Sequence, residues 1–303
     1  MAVKTVQTVI NGQTYTLTLN SSTGKYEATI TAPSKSSYNQ SGHYYPVKVT
    51  ATDDAGNSTS KDASDSTLGS SLRLTVKEKV APVIAIVSPT AGSFSTNSKP
   101  TITWKVTDAD SGVNPATIGI TLDNGTKVTG DAITKTAITG GYQCTYTPAT
   151  ALSDGSHTIK LDASDYDGNA AATNSTTFKL DTVPPTLTLS SPADKLITSK
   201  SACTVKGTTN DVTSSPVKVT IKLNSGTAES VTVERDGSFT KDLTLANGTN
   251  TITVVATDSA GKSTTVTRTV TLDTGAPVIK SVTLTPNPVD CGKTFVISVE
   301  VTD

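Results

Sequence analysis

The stretch ATDDAGN at residues 51–57 recurs as ASDYDGN at 163–169 and as ATDSAGK at 256–262. Each copy follows a run in which apolar and polar residues alternate, and this period of two predicts a strand with one buried face. The Asp and Gly that follow are typical of a tight turn, because Asp bonds its own backbone and Gly tolerates a positive φ. The repeated stretch therefore predicts a long strand that runs into a turn, once in each repeat.

Composition favours an all-β chain of several domains. The 303 residues include 21 Gly and 14 Pro, and no long segment has the apolar spacing of a helix. Apolar residues make up 34% of the chain, which suits small sandwiches with thin cores. The formal net charge is −1 and no basic run stands out, so we expect no binding to nucleic acid. No segment has the length of a membrane span, so we expect no membrane partner.

Prolines mark the start of successive repeats. Pro82, Pro185 and Pro277 each precede a run that favours strands, and they lie 103 and 92 residues apart. This spacing matches the length of an immunoglobulin-like β-sandwich, which is about 100 residues. We therefore predict tandem immunoglobulin-like β-sandwiches, three in number, followed by a partial unit of two strands. The predicted bounds are 1–79 for a short first domain, 80–182 for the second, 183–274 for the third and 275–303 for the partial unit.

The partial unit calls for a partner, because two strands bury too little surface to be stable alone. Three alternatives follow from the sequence. Residues 276–303 dock on the third domain, they pair with another copy of the chain in a homo-oligomer, or the sequence is truncated at Asp303. Pairing with another chain would use the free edges of the two strands.

The repeats also carry a family resemblance. Units opened by proline, the run GSHTI at 155–159 and the Asp-x-x-Gly-Asn endings resemble tandem bacterial immunoglobulin-like domains. Such domains form the stalks of surface adhesins and decorate phage tails and capsids, so the resemblance implies a structural or adhesive role. The start MAVKTVQTVINGQTYTLTLN also resembles prophage-encoded virion proteins of Gram-positive bacteria, and it lacks the apolar core of a signal peptide.

The resemblance sets expectations for location and partners. We expect a place on a phage or phage-like particle, with the bacterial cell surface as the alternative. The expected partners are other virion or tail proteins and, for attachment, a bacterial cell-surface polysaccharide. Repeated weak contacts on a particle would add up through avidity.

A calcium site is one interpretation of the acidic residues in and after the second domain. The candidate ligands are Asp108, Asp110, Asp162, Asp165, Asp167 and Asp181. Calcium binds about six to eight oxygen atoms in flexible arrangements, which carboxylates and carbonyls supply. The interpretation that we adopt is that the motif aspartates bond backbone amides in their turns, so we expect no cofactor, with calcium as the alternative. Because the third domain retains only Asp258 in its motif, the sequence does not predict a repeated metal site.

Tyrosines are concentrated in the first domain, which holds five of the eight in the chain. Four of these five are considered as contact residues, namely Tyr26, Tyr38, Tyr44 and Tyr45. Aromatic side chains with polar neighbours are common contact residues, which makes these four candidates for glycan or protein contact. The alternative is that they fill a thin core and its rim.

No catalytic residues are predicted. The only two histidines, His43 and His157, follow a turn glycine at similar places in their repeats, which indicates a structural role. No Gly-x-Ser-x-Gly elbow occurs, and no Cys/His cluster has the spacing of a zinc site. We therefore expect a protein that is not an enzyme.

Overall fold

The protein is described by a computed structural model, which covers residues 2–303. Strands dominate the chain, so the all-β class predicted from the sequence is confirmed. The chain divides into two compact units, with the boundary between Leu180 and Asp181. The helical segments within residues 2–303 are short 3₁₀ turns at Ser37–Asn39, Ser41–His43, Gly69–Leu72 and Gly130–Ala132. In that part of the chain, no helix has the length and the apolar character that a membrane crossing needs.

The strands of the first domain form one six-stranded sheet. They are β1 (Val3–Ile10), β2 (Gln13–Asn20), β3 (Lys25–Glu27), β4 (Tyr45–Asp53), β5 (Ser58–Lys61) and β6 (Arg73–Leu74). The order is β3-β2-β1-β4-β5, and β6 pairs with the start of β4. Where the sequence predicts a short sandwich, the structure therefore has a single sheet. No second sheet covers its face, and β2 accordingly buries none of its residues fully while β1 buries only Val6 and Thr8.

The second domain is a sandwich of two four-stranded sheets. Its strands are β7 (Val83–Ser88), β8 (Phe94–Ser95), β9 (Ile102–Thr107), β10 (Val113–Leu122), β11 (Thr134–Ile138), β12 (Gly141–Tyr146), β13 (Gly155–Asp165) and β14 (Asn174–Leu180). The sheet orders are β10-β13-β14-β8 and β11-β12-β9-β7. Ile102, Trp104 and Val106 alternate along β9 and are fully buried. They share one core with Ile159 and Leu161 of β13, and this two-sided burial fixes the register of both sheets.

The third domain repeats this plan with sheets of three and five strands. Its strands are β15 (Thr186–Ser191), β16 (Leu196–Thr198), β17 (Ala202–Asn210), β18 (Lys218–Leu223), β19 (Glu229–Val231), β20 (Ser238–Thr244), β21 (Gly248–Thr257) and β22 (Ser263–Leu272). The sheet orders are β15-β17-β20 and β16-β22-β21-β18-β19. Val205 of β17 packs in one buried core with Ile252 and Val254 of β21. In both sandwiches, the repeated Asp turn thus follows directly on a core strand.

The last two strands, β23 (Val278–Thr285) and β24 (Val296–Thr302), form a two-stranded ribbon. They pair with each other, and every residue from 273 to 303 is exposed. Docking of residues 276–303 on the third domain is therefore not observed. Ile297, Val299 and Val301 alternate along β24 as the buried residues do along β9, but they are about half exposed or more.

His157 is buried near the start of β13, where it forms two short contacts. Its Nδ1 lies 2.6 Å from Oδ2 of Asp123, and its Nε2 lies 2.7 Å from the carbonyl oxygen of Ser153. Both partners are acceptors, so the geometry suits the doubly protonated ring. Burial lowers the pKa of His157, but the bonds to Asp123 and Ser153 outweigh it, and the pKa is raised above its ordinary value.

The charged His157–Asp123 pair is expected to stabilise the second domain at low pH. Because the folded pKa is raised, the stabilisation is complete below the ordinary histidine pKa and is lost as the pH rises through the folded value. Urea unfolding measures the unfolding free energy of this domain when it is followed by the fluorescence of Trp104, which is the only Trp in the chain and lies in this core. We expect the unfolding free energy to fall as the pH rises from the ordinary histidine pKa through the raised folded value, and His157→Gln to remove that fall. A wild-type profile without this fall would contradict the assignment.

Candidate metal sites

The same hydrogen bond closes the turn in all three copies of the repeated stretch. Oδ1 of the motif aspartate accepts the backbone N–H of the residue four positions later. The pairs are Asp53–Asn57 at 2.9 Å, Asp165–Asn169 at 2.8 Å and Asp258–Lys262 at 2.8 Å. In each turn the glycine has a positive φ, between 88° and 93°, which side chains other than glycine rarely adopt. The motif therefore has a structural role in every repeat.

The second oxygen of the motif aspartate differs between the copies. Where the stretch ends in Asn, the side-chain amide donates to Oδ2, at 3.0 Å for Asp53 and 2.7 Å for Asp165. The third copy ends in Lys262, which makes no ion pair within residues 2–303. Oδ2 of Asp258 is consequently buried without a hydrogen-bond partner, in a residue that is only 5% exposed.

The second domain brings three carboxyl groups together, which we call the first acidic group. It consists of Glu78, Asp108 and Asp165, and one oxygen of each lies within 4.8 Å of the others. Glu78 precedes the domain, Asp108 follows β9 and Asp165 ends β13. Each carboxylate accepts backbone N–H groups: Oε1 of Glu78 is 2.6 Å from the nitrogen of Ser111, and Oδ1 of Asp108 is 2.8 Å from that of Gly112.

The third domain has an equivalent set, which we call the second acidic group. Asp181, Asp211 and Asp258 are all buried, and one oxygen of each again lies within 4.8 Å of the others. Asp211 accepts the N–H of Ser214 at 2.6 Å, and the hydroxyl of Ser214 donates to Asp181. None of the three carboxylates forms an ion pair with a Lys, Arg or His of residues 2–303.

The two groups occupy the same places in their repeats. The first acid of each group, Glu78 or Asp181, stands four residues before the proline that opens the repeat. The second, Asp108 or Asp211, follows a core strand, and the third is the motif aspartate. The arrangement is thus repeated, which corrects the expectation that the acidic cluster is not a repeated feature. It was missed because the motif supplies only one of the three acids. The signal in the sequence is that Glu78 and Asp181 stand at the same distance from Pro82 and Pro185.

The structure distributes the predicted calcium ligands over several roles. Asp108 and Asp165 lie in the first acidic group, and Asp181 lies in the second. Asp110 bonds the first domain through the N–H of Ser36 at 3.1 Å, and it also accepts the amide of Asn39 at 2.6 Å.

The other two predicted ligands lie outside both groups as well. Oδ2 of Asp167 accepts the N–H of Glu78 at 3.0 Å. Asp162 lies 3.3 Å from Lys127 Nζ in an exposed ion pair. The structure therefore joins only Asp108 and Asp165 of the six in one cluster, together with Glu78, which is not among the predicted ligands.

The four predicted contact tyrosines do not form one surface. Tyr38 stacks between His43 and Tyr166, with ring centroids 3.9 Å and 4.2 Å away, so it ties the first domain to the second. Tyr26 donates its hydroxyl to the carbonyl of Val3 at 3.3 Å.

Tyr44 and Tyr45 line a shared cleft of about 710 Å³ in the first domain. The guanidinium of Arg73 lies 4.9 Å from the centre of the Tyr44 ring, over its face. Tyr45 is 3% exposed and bonds the carbonyl of Lys35, so it serves mainly as a core residue. Tyr44 is thus the tyrosine of this cleft that keeps an accessible ring.

Comparison with known proteins supports the immunoglobulin-like interpretation for the two sandwiches. Residues 82–161 match the bacterial Ig domain family, and residues 185–274 match the family of glucodextranase domain B. Bacillopeptidase F of Bacillus subtilis (strain 168) is 34% identical over 199 residues, which are 66% of this chain and 12% of that protein. The chain therefore carries tandem immunoglobulin-like domains, a class that is generally non-catalytic.

Two solved structures are similar at low sequence identity. The fibronectin(III)-like modules of Clostridium thermocellum CbhA are 16% identical, with a TM-score of 0.37, covering 63% of this chain and 94% of theirs. The D1-D2 fragment of Rst is 14% identical, with a TM-score of 0.39, covering 64% of this chain and 100% of its own.

The bonds of Asp110 are expected to order the loop of the first domain that contains Ser36. Asp110→Ala leaves the buried N–H of Ser36 without a partner, which costs about 1–3 kcal/mol locally. Hydrogen–deuterium exchange of residues 36–39 should accelerate accordingly. The matched control is Asp162→Ala, which removes only an exposed ion pair and should leave this loop protected. Equal exchange in the two variants would show that Asp110 does not hold the loop.

Proposed function

We propose that this chain is a non-enzymatic string of immunoglobulin-like domains in which a bound calcium ion fastens the segment entering the third domain. One observation carries the proposal. Oδ2 of Asp258 is buried without a partner, and the residue belongs to a set of three buried carboxylates. Buried polar atoms are nearly always bonded, so an orphaned carboxylate oxygen calls for a ligand.

Electrostatics supports a cation as that ligand. Asp181, Asp211 and Asp258 have lost most of their contact with water, and their negative charges repel one another at close range. Burying a charge is costly unless it is paired or coordinates a metal. A divalent cation would neutralise most of this charge and would occupy the free oxygen of Asp258.

The donor set favours calcium over softer metals. The second acidic group offers carboxylate oxygens, with the hydroxyl of Ser214 beside them, and its members include no Cys or His. Hard cations such as calcium and magnesium prefer oxygen ligands, and calcium accepts the less regular geometry of loops. Carbonyl groups and water would complete the coordination.

The position of the group suggests what binding does. Asp181 lies in the segment that enters the third domain, whereas Asp211 follows β17 and Asp258 follows β21. A cation held by all three would tie the entering segment to the two loops. Such a tie restricts bending where the domain begins, which suits a protein that spaces or presents other groups.

The proposed setting is the surface of a phage or phage-like particle, as a tail or capsid accessory protein. The resemblance to domains that decorate such particles supports this placement. The cleft with Tyr44 and Arg73 would supply weak contacts to a bacterial surface glycan, and many copies on one particle would multiply them through avidity.

A second candidate is an accessory region of a bacterial surface or enzyme chain. The similarity to part of Bacillopeptidase F favours it, since that bacterial protein contains a region like this one within a much longer chain. Mass spectrometry distinguishes the two settings. Peptides of this chain in purified particles are expected for the first, and their recovery only with cell-envelope or enzyme fractions would overturn it.

Calcium is expected to stabilise the third domain. At a free concentration about 100 times the Kd, binding raises the unfolding free energy by about 2.7 kcal/mol, and chelation reverses the gain. Scanning calorimetry with and without calcium measures it, and Asp258→Asn should abolish it while keeping the turn bond to Lys262. The control Asp273→Asn alters an exposed carboxylate and should respond like the wild type. If millimolar calcium does not raise the unfolding temperature of the wild type, the proposed site is wrong.

A further inference from the structure

The last residue of the repeated stretch differs between the two acidic groups. Asn169 closes the first group, because its backbone N–H and side-chain amide engage both oxygens of Asp165, at 2.8 Å and 2.7 Å. The same amide also lies 3.2 Å from the carbonyl oxygen of Glu78. Lys262 occupies the equivalent place in the third domain and gives Asp258 only its backbone N–H.

We infer that the last residue of the repeated stretch sets the calcium affinity of each acidic group. Asn169 lowers the calcium affinity of the first group, whereas Lys262 leaves that of the second group high. The inference rests on the proposed calcium site and names the residue that sets its affinity. An amide donor at Oδ2 of Asp165 presents a partial positive charge where a cation would bind. A cation entering the first group must therefore displace or compete with a hydrogen bond that the protein supplies to itself.

Lys262 affects the second group because its side chain supplies no hydrogen bond to Asp258. Its side chain has no amide, and its ammonium makes no ion pair within residues 2–303. A cation that binds at Asp258 Oδ2 therefore breaks no existing bond and satisfies an atom that was left unpaired. A cation that displaces a hydrogen bond to a charged carboxylate loses about 10- to 100-fold in affinity, which is the scale expected for the amide of an asparagine at this position.

The charge of Lys262 provides a control, because it acts in the opposite direction to an amide. A nearby ammonium weakens cation binding, so Lys262→Ala should bind calcium as tightly as the wild type or more tightly. Lys262→Asn removes the same charge but restores the amide of the other two copies. We expect Lys262→Asn to bind calcium at least about tenfold more weakly than Lys262→Ala, because the cation must displace the amide from Asp258.

Isothermal titration calorimetry with calcium alone tests the inference on the full chain. The wild type should show one stronger binding event. In Lys262→Asn this event should be at least about tenfold weaker than in Lys262→Ala. Asn169→Ala should gain a second event in the first group. If the wild type binds no calcium, the proposed function and this inference both fail. If the wild type binds calcium but the two Lys262 variants bind equally, the inference fails and the proposed site stands.

A second measurement needs no calcium. In Lys262→Asn the new amide supplies the missing partner of Asp258 Oδ2, so the third domain should be more stable to heat than in Lys262→Ala when a chelator is present. The opposite order, or no difference, would mean that the amide does not reach Asp258 and would overturn the inference. The same scans show whether each variant is folded.

Discussion

The sandwiches depend on a hydrogen bond from a backbone N–H to the aspartate four residues before it. This bond is 2.8 Å long in the second and third domains, and in both it closes the turn that follows a core strand. The strands on either side, β13 with β14 and β21 with β22, then pair in register and bury their apolar faces. Because the turn lies at the end of the sandwich, a carboxylate that folding requires is also held at the point where the chain enters the domain.

The second oxygen of that carboxylate is not needed to close the turn. The three copies show this directly, since the third has the same backbone bonds and the same glycine conformation without an amide at Oδ2. The last position of the stretch can therefore vary without loss of the fold. In the first and second domains the asparagine side chain bonds this oxygen, whereas in the third domain, with Lys262 at this position, the oxygen has no hydrogen-bond partner.

The connection between the first and second domains uses a different chemistry. Tyr38 lies between His43 and Tyr166, and Asp110 accepts two donors from the loop of the first domain. Asp167 accepts the N–H of Glu78, a residue of the first acidic group. Stacking and hydrogen bonds thus hold this connection, so residues that looked like ligands or contact residues in the sequence serve to fix one domain to the next.

The sequence by itself determined the strands, the turns and the repeat. Alternation along β9, β13 and β21 predicts which side chains are buried, and Asp-x-x-Gly predicts the turn, because both signals are local and depend only on neighbouring residues. Only the tertiary structure decided which acids meet. Glu78 and Asp181 lie far in sequence from the aspartates that they join, and their proximity arises from the packing of two sheets. The local pattern also did not predict the single sheet of the first domain. Alternation predicts a strand with one buried face, but it does not predict whether a second sheet covers that face.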